Sequence, residues 1–309
     1  MKQAIAFLAV LLLCLAALFF SERHEHSEAV TANAVLNAAA DIQRDLTRVP
    51  LRFTRLSDSE EIRIGNELAD VYVREQRLSP KQQALEAYVQ RVGMTLAPHA
   101  HRKLPYHFHL IPEPSMINAF SLPGGHVFVG EGLLDLMMSE DQLANVLGHE
   151  VEYVDHYHCA ERVQVEAQLR HLQLGAVGAL VQLPLALFEA GYNKDEEFEA
   201  DREGMRLAVR AGYSPYGAVA MFEKFAKLQR EYVIHAESPE EELSQLAIAS
   251  LTGYFRSHPL PSERLAQART LIVQEHWEDL KLQKPFHVED GSGSSGFCPL
   301  SDMRRSLAG

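Results

Sequence analysis

The stretch LGHEVEYVDHYH, Leu147–His158, combines helix-forming residues with half of a zinc-site pattern. Two histidines four residues apart lie on one face of an α-helix, where both imidazoles can bind one zinc ion. A glutamate directly after the first histidine can take a proton from a metal-bound water. His149 and Glu150 supply these first two residues, but the position of the second histidine holds Tyr153. The stretch therefore predicts an active-site helix whose metal-binding set is altered at one position.

The composition is that of a globular protein with a substantial core. The chain has 309 residues, of which 47% are hydrophobic and 23% charged. Its formal net charge of -13 argues against nucleic acid as a partner, because phosphate binding needs clustered Lys and Arg. The cysteines Cys14, Cys159 and Cys298 are too few for a disulfide scaffold. A single Cys159–Cys298 bridge and two free thiols both remain open.

The N-terminus predicts a membrane-targeting segment. An unbroken apolar run covers residues 4–20, and a charged stretch follows it. A small-x-small cleavage site occurs only at Ala32–Ala34, far beyond the run, which favours an uncleaved anchor. We therefore expect a signal or membrane anchor at 1–20, a stalk or linker helix at 21–56, and a protein attached to the membrane.

Helical patterns dominate the rest of the chain. The segments 57–76 and 80–97 carry apolar residues at helical spacing, and each begins near a capping residue. From about Gly132 onward the pattern is again helical. The final segment, 289–309, is rich in Gly and Ser and is expected to be disordered.

Between these helical regions, short aromatic and β-branched runs predict strands. A Pro-Gly-Gly turn separates the last two runs. The runs are Tyr106–Ile111, Ile117–Leu122 and His126–Gly130. Together the patterns predict a mainly helical α+β fold with a small sheet.

His107 and His109 alternate with apolar residues in the first predicted strand. They share one strand face, so they could form a metal-binding pair. The solvated face of a half-buried strand is the favoured interpretation.

A second helix offers further ligands. Glu197 precedes Asp201 by four residues, so both carboxylates lie on one helix face. Such a pair could supply a third metal ligand and a carboxylate that orients another ligand. Taken alone, it is more typical of a solvated helix face.

An ordered series of motifs connects these segments. Over Ser57–Thr270 the chain resembles the M48 family of zinc metallopeptidases. The resemblance implies a zincin-like (gluzincin) fold, with a small β-sheet packed on the active-site helix and a peptidase domain at 57–288. The motifs are NAFSLPGGHVFVGEGLL (118–134), SEDQLANVLGHE (139–150), HCAER (158–162), EFEAD (197–201), AGYSP (211–215) and SHPLPSERL (257–265).

The resemblance assigns roles to individual residues. His149 would bind zinc, Glu150 would be the general base, and Glu197 would be another ligand. Asp201 would orient the ligand histidine. The family places a histidine that binds zinc directly where this chain has Tyr153.

The same resemblance predicts a substrate site. An edge strand containing Asn118, Ala119 and Phe120 would hold an extended peptide by strand addition. His258, and with it Arg264, would lie near the oxyanion that forms when water attacks the peptide carbonyl.

Several residues could compensate for the missing histidine. Tyr153 could bind zinc through its phenolate, provided that the metal lowers its pKa from about 10. His156 shares the face of His149 but lies about 10.5 Å further along the helix axis. Glu152 is better placed for solvent or a basic neighbour. Weak zinc binding, or none, is the remaining possibility.

The resemblance implies a zinc-dependent metalloendopeptidase of the cell envelope, membrane-anchored or periplasmic, that hydrolyses extended or misfolded polypeptides with zinc-activated water. The alternative is a catalytically impaired, chaperone-like peptide binder, because Tyr153 replaces a zinc ligand. A membrane-tethered structural helix bundle is the third possibility, and it would bind neither metal nor peptide.

Overall fold

The computed structural model describes most of the chain between the two termini. The described residues are 56–169, 192, 194–235 and 260–286. They belong to one compact unit, Arg55–Gly309. No helix within these ranges is both long and apolar enough to cross a bilayer. The predictions that fall outside the described residues are the anchor at 1–20, nearly all of the stalk at 21–56, the tail at 289–309, His258, Cys14 and Cys298.

The described residues form eight α-helices and one three-stranded sheet, which confirms the predicted mainly helical α+β fold. Short 3-10 turns occupy Ala97–His99 and Pro123–Gly125. The helices are α1 (Asp58–Glu75), α2 (Pro80–Leu96), α3 (Glu131–Asp135), α4 (Glu140–Asp155), α5 (His158–Leu169), α6 (Lys194–Arg210), α7 (Tyr216–His235) and α8 (Pro261–Gln274). The strands are β1 (His107–Ile111), β2 (Ala119–Leu122) and β3 (His126–Gly130).

Local sequence explains how the first two helices begin. Ser57 caps α1 in a capping box, because its hydroxyl accepts from Glu60 N while the Glu60 carboxylate accepts from Ser57 N. Ser79 and Gln82 form the same arrangement before α2, where Pro80 occupies the first turn. Both helices are therefore fixed at their N-termini by side chains close in sequence.

The sheet separates two apolar clusters. The larger cluster includes residues of α2, α4, α6, α7 and α8 and one face of the sheet. The smaller cluster contains Ile64 and Leu68 of α1, Phe120 and Phe128 of the other sheet face, and Val163 of α5. The sheet and α4 are thus buried on more than one side, which fixes the strands beside the active-site helix.

The two edges of the sheet differ. The strand order is β1-β3-β2, with β1 parallel and β2 antiparallel to β3. At the β1 edge, Phe108 N donates to Gln90 Oε1 at 2.7 Å, and the Leu110 amide donates to the Glu86 carboxylate. Side chains of α2 therefore occupy hydrogen-bonding positions that an added strand would need at this edge.

At the β2 edge, the hydrogen-bond register decides which residues face outward. Gly130 N donates to Asn118 O at 2.9 Å across the β2–β3 pair. Because bonded and non-bonded pairs alternate in an antiparallel ladder, Ala119 and Ser121 direct their backbone groups away from β3. The Ser121 carbonyl accepts from the Cys159 thiol at 3.5 Å, consistent with this direction.

Two glycines bring α4 and α6 into backbone contact. A Cβ atom at Gly204 would lie 2.6 Å from His149 N, and one at Gly148 would lie 2.7 Å from Gly204 O. Any larger residue would push the helices apart. This close crossing places His149 of α4 beside the carboxylates of α6.

A chain of hydrogen bonds connects the histidines of the sheet to α1. His126 Nε2 lies 2.8 Å from Asn66 Oδ1, and His126 Nδ1 lies 3.0 Å from His109 Nε2. Neutral imidazoles satisfy this chain, with His126 donating to Asn66 and accepting from His109. Burial, reinforced by neighbouring histidines, lowers the pKa of His126 to about 3 and that of His109 to about 4. On the face predicted as solvated, His107 is exposed as expected, whereas His109 is partly buried and neutral near pH 7.

This histidine chain predicts acid sensitivity of the fold. In the folded protein both pKa values lie below the ordinary histidine value of about 6.5. Below about pH 6.5 the unfolded chain therefore binds more protons than the folded chain does. The free energy of unfolding should therefore fall with decreasing pH, by about 2 kcal/mol per histidine at about pH 5. His126→Gln should flatten this pH dependence in urea titrations. The exposed His99→Gln is the control. An unchanged slope in His126→Gln would contradict the prediction.

Candidate active site

His149 is held in a fixed orientation by a buried carboxylate. Its Nδ1 lies 2.9 Å from Asp201 Oδ1. Arg264 donates from Nε to Asp201 Oδ2 at 2.8 Å and from Nη2 to Oδ1 at 2.5 Å. Burial opposes the charge on Asp201, but Arg264 and His149 outweigh it and hold the pKa of Asp201 well below its usual range. Asp201 therefore remains ionised and orients His149, as carboxylates do behind metal-binding histidines.

The other imidazole nitrogen of His149 faces Glu197. His149 Nε2 and Glu197 Oε2 are 3.8 Å apart, and Glu197 is completely buried. The second oxygen of Glu197 accepts from Tyr153 Oη at 2.6 Å and from Tyr192 N at 3.0 Å. The structure thus brings Glu197 of α6 to His149 and Tyr153 of α4, although Glu197 follows Tyr153 by 44 residues in sequence.

Tyr153 is held firmly in this position. Its ring stacks on Tyr192 with centroids 4.1 Å apart and meets His149 edge-on at 4.7 Å. Burial, followed by the charges of Glu197 and Glu150, raises the pKa of Tyr153 well above its usual range. The phenol therefore stays protonated and donates a hydrogen bond to Glu197.

These residues fit a zinc ion in part. Zinc bonds to His nitrogen and carboxylate oxygen measure about 2.0–2.2 Å, so atoms separated like His149 Nε2 and Glu197 Oε2 can bind one ion. The third donor is a protonated phenol whose hydrogen points at Glu197. Within the described ranges, no group of three or more His, Cys, Asp or Glu side chains could hold a metal. Two side chains that could bind zinc in a His-Glu site thus lie next to each other, and the third position holds a chemically different group.

The other residues considered as replacements are engaged elsewhere. His156 Nδ1 lies 3.0 Å from Glu152 Oε2, and Glu152 is completely buried. Of the two alternatives expected for Glu152, solvent or a basic neighbour, the structure shows the basic neighbour, which is His156. His158 Nε2 lies 3.6 Å from Glu199 Oε2. None of these side chains is directed to the His149–Glu197 pair.

Glu150 is placed for proton transfer. Its carboxylate accepts from Ser121 Oγ at 2.8 Å, and burial raises its pKa to about 7. A carboxylate with a pKa near neutrality is well suited to act as a general base. The Ser121 hydroxyl also lies 2.8 Å from the Glu150 carbonyl oxygen, so its single hydrogen is shared between the two acceptors and connects the edge strand β2 to α4.

A cavity of about 490 Å³, counted to its open mouth, adjoins these groups. Asn118, Ala119, His149 and Glu150 line it. Phe120 is not among the lining residues, because alternate side chains of a strand point to opposite faces and its ring stacks on Phe128 with centroids 5.0 Å apart. The backbone register likewise assigns the outward positions of β2 to Ala119 and Ser121, in place of Phe120.

Arg264 also lines the cavity, but its guanidinium is only 4% exposed and binds Asp201. The structure places Arg264 beside Asp201 and His149 at the cavity, and its position near the oxyanion of a reacting carbonyl stays a prediction. The predicted partner His258 lies outside the described residues.

Comparison with known proteins identifies the family of the chain. The sequence model of peptidase family M48 matches residues 83–272. The chain belongs to peptidase family M48. The match includes the α4 and α6 residues of the site, and it confirms the resemblance deduced from the motifs.

Two relatives of the chain bear the names of proteases. The beta-barrel assembly-enhancing protease of Escherichia coli strain K12 is 32% identical over 259 residues, which cover 74% of this chain and 48% of that protein. The mitochondrial metalloendopeptidase OMA1 of Arabidopsis thaliana is 36% identical over 170 residues, covering 52% of this chain and 31% of that protein. The chain thus spans about half or less of the length of these relatives.

Two contacts of this M48 site were missed from the sequence. Ser121 holds Glu150, and its place two residues after Ala119 in an edge strand was an available signal. Tyr192 stacks on Tyr153 and donates to Glu197, but nothing in its surrounding sequence indicates this.

Proposed function

We propose that this M48 protein is a zinc metalloendopeptidase of the cell envelope, which cleaves extended or misfolded polypeptides. The observation that carries the proposal is the position of Glu150. It stands beside the His149–Glu197 pair, at a cavity bordered by the outward edge of β2. The similarity to a beta-barrel assembly-enhancing protease and to a metalloendopeptidase supports proteolysis of polypeptides.

In this proposal the edge of β2 positions the substrate. An extended peptide adds to the sheet through the outward backbone groups of Ala119, with β1 closed to addition by α2. The peptide backbone then runs past Glu150. Asn118, at the start of β2, lines the same cavity and is 8% exposed.

The chemical step in this proposal uses Glu150 as general base. Zinc would be held by His149 and Glu197, with Tyr153 in the third position, and when bound it would activate a water and polarise the peptide carbonyl. Glu150 would accept the proton of the attacking water and pass it to the leaving amine. Ser121 fixes one oxygen of Glu150, while Asp201 and Arg264 keep the His149 ring in place.

The proposed N-terminal anchor, at 1–20, would attach the protein to the membrane. The acidic surface implied by the net charge of -13 makes nucleic acid an improbable substrate.

Metal content and cleavage test the proposal together. The full chain, purified with zinc in the buffer, should carry zinc by elemental analysis and cleave unfolded casein. Treatment with 1,10-phenanthroline should stop cleavage, and added zinc should restore it. Cleavage that survives full removal of the metal, or a zinc-loaded chain that cleaves no polypeptide, would refute the proposal.

The bond from Tyr153 to Glu197 favours a second candidate, a non-catalytic peptide binder that uses the same cleft. This candidate predicts that labelled unfolded polypeptides bind without being cut and that binding is insensitive to 1,10-phenanthroline. Turnover by the native chain would eliminate it.

A further inference from the structure

Three histidine rings lie side by side on one face of the sheet. His107 and His109 are alternate residues of β1, and His126 of β3 is the register partner of His107. The His126 ring has its centroid 5.0 Å from that of His107 and 5.3 Å from that of His109. The centroids of His107 and His109 are 6.3 Å apart. The two strands therefore bring together three imidazoles, which the sequence offered only as a pair on β1.

The sheet separates these rings from the proposed chemistry. His109 stacks at 4.6 Å on Phe128, a residue of the smaller apolar cluster. Ala119 belongs to the larger cluster and lines the cavity together with Glu150. The three histidines are absent from the lining of that cavity. A site formed by these rings would thus be distinct from the His149 site.

Two ring nitrogens already approach each other at a distance that suits a shared metal ion. His109 Nε2 lies 3.0 Å from His126 Nδ1. Two nitrogens bound to one ion at about 2.0–2.1 Å are about 2.9–3.4 Å apart, for bond angles of about 90–110°. A small rotation of the rings would direct both lone pairs at one ion. His109 would then carry its proton on Nδ1 in place of Nε2, so both rings stay neutral.

Asn66 of α1 prepares His126 as a ligand. Its Oδ1 lies 2.8 Å from His126 Nε2 and accepts the proton of that nitrogen. The lone pair of His126 is therefore on Nδ1, on the side of His109. An oxygen behind the other ring nitrogen is the arrangement that orients histidines for metal binding. Asp201 has the same relation to His149 in the active site, where it lies 2.9 Å from Nδ1.

His107 offers a third ligand at the exposed end of the group. With the rings as they stand, nitrogens of only His109 and His126 converge, so a third protein ligand requires His107 to rotate. Its side chain is exposed, and rotation displaces no part of either apolar cluster. Water can fill the remaining positions of the ion. Imidazole nitrogens suit late first-row ions such as Ni²⁺, Cu²⁺ and Zn²⁺.

We propose that His109 and His126, completed by His107, form a binding site for a late first-row transition-metal ion, separate from the His149 site. The bound ion joins β1 to β3, and the bond from His126 to Asn66 extends this connection to α1. The site takes no part in peptide hydrolysis. Its failure would leave the proposed function untouched, because none of its residues belongs to the proposed mechanism.

Titration with Cu²⁺ alone tests the site, because Cu²⁺ binds more tightly than Ni²⁺ or Zn²⁺ to a given set of nitrogen ligands. The full chain is titrated at neutral pH by isothermal calorimetry, both as the native protein and as His149→Gln. The substitution removes the ligand of the active site, so the Cu²⁺ that remains bound reports the proposed site. At half an equivalent of Cu²⁺, the electron paramagnetic resonance spectrum should show splitting from two or three imidazole nitrogens.

Substitutions in the His149→Gln chain assign the ligands. His109→Gln keeps a polar group beside His126 but removes the ring nitrogen, so it should weaken Cu²⁺ binding by at least about tenfold. Asn66→Ala leaves all three rings in place and should weaken binding by about 10- to 100-fold, the usual cost of losing an orienting contact. Asn66 is exposed, so this variant should fold even if His109→Gln does not.

Three other pairs of histidines with the same spacing supply matched controls, at residues 24 and 26, 99 and 101, and 156 and 158. His24→Gln, His99→Gln and His156→Gln each disrupt one of these pairs and should leave the tightest Cu²⁺ affinity unchanged. Thermal unfolding without metal verifies the fold of every variant.

Two results would overturn the site. One is a folded His109→Gln or Asn66→Ala that binds Cu²⁺ as tightly as its parent. The other is loss of the tightest binding in any of the three control variants, which would assign the ion to that pair of histidines.

Discussion

Tyr153→His is expected to bind zinc at least about 100-fold more tightly than the native chain, since changes to residues one contact further out already cost about 10- to 100-fold. Histidine offers a neutral nitrogen donor, whereas the native phenol must lose a proton at a pH far below its raised pKa. The substitution also releases the Glu197 oxygen that Tyr153 now occupies. Competition with a chromophoric zinc chelator at neutral pH measures the affinity, and casein cleavage should rise in parallel.

Tyr153→Phe separates these two effects. It removes the hydrogen bond to Glu197 without adding a ligand, so zinc affinity should stay well below that of Tyr153→His. A native chain that already binds zinc as tightly as Tyr153→His would show that the phenol completes the site. That result would contradict the expectation that the protonated phenol weakens metal binding.

Glu150→Gln is expected to lower kcat for peptide cleavage by about 10²- to 10⁴-fold, which is the usual contribution of a general base. The amide has the shape of the carboxyl group and can still accept from Ser121, but it cannot accept the proton of the attacking water. Because the pKa of Glu150 is about 7, cleavage by the unsubstituted chain should also decline below neutral pH as the carboxylate becomes protonated.

The measurement is the initial rate of casein cleavage. Glu150→Gln is introduced into the native chain or into Tyr153→His, whichever cleaves casein faster, and is compared with that parent. Peptide affinity, read by anisotropy, should be unchanged by Glu150→Gln. The matched control Ser121→Ala removes the contact to Glu150 and should have a smaller effect on kcat. Retention of full activity in Glu150→Gln would exclude Glu150 as the base.

Much of the fold was predictable because its signals are local. Capping boxes at Ser57 and Ser79 fix the starts of α1 and α2, and the strand predicted at Tyr106–Ile111 is β1 with one residue fewer. The strand predicted from Ile117 begins two residues later, at Ala119. Patterns of caps, periodicity and turns therefore suffice for element type, and boundaries shift by a residue or two.

The site was predictable in its members but not in its contacts. The motifs indicated His149, Glu197 and Asp201, and the structure brings them together. The bond between Tyr153 and Glu197 depends on how closely α4 and α6 cross, which is set by backbone contact at Gly148 and Gly204. No local pattern encodes that distance.

The apolar lining of the cavity was missed for a related reason. Met221, Phe222 and Phe225 have the spacing of an ordinary buried helix face, so sequence alone predicts core packing. The structure shows that these residues also line the cavity that Glu150 borders. A helical pattern of apolar residues does not distinguish side chains that face the core from side chains that face a cavity.

The closure of the β1 edge by Gln90 and Glu86 would limit aggregation of a protein that binds unfolded chains, as proposed for this one. An open strand edge is a template on which misfolded polypeptides can nucleate fibrils or couple two molecules together. With β1 closed, a captured chain can extend this sheet only beside Glu150. Templated growth and self-assembly must therefore compete with substrate for a single edge, so an excess of substrate should suppress aggregation of the protein itself.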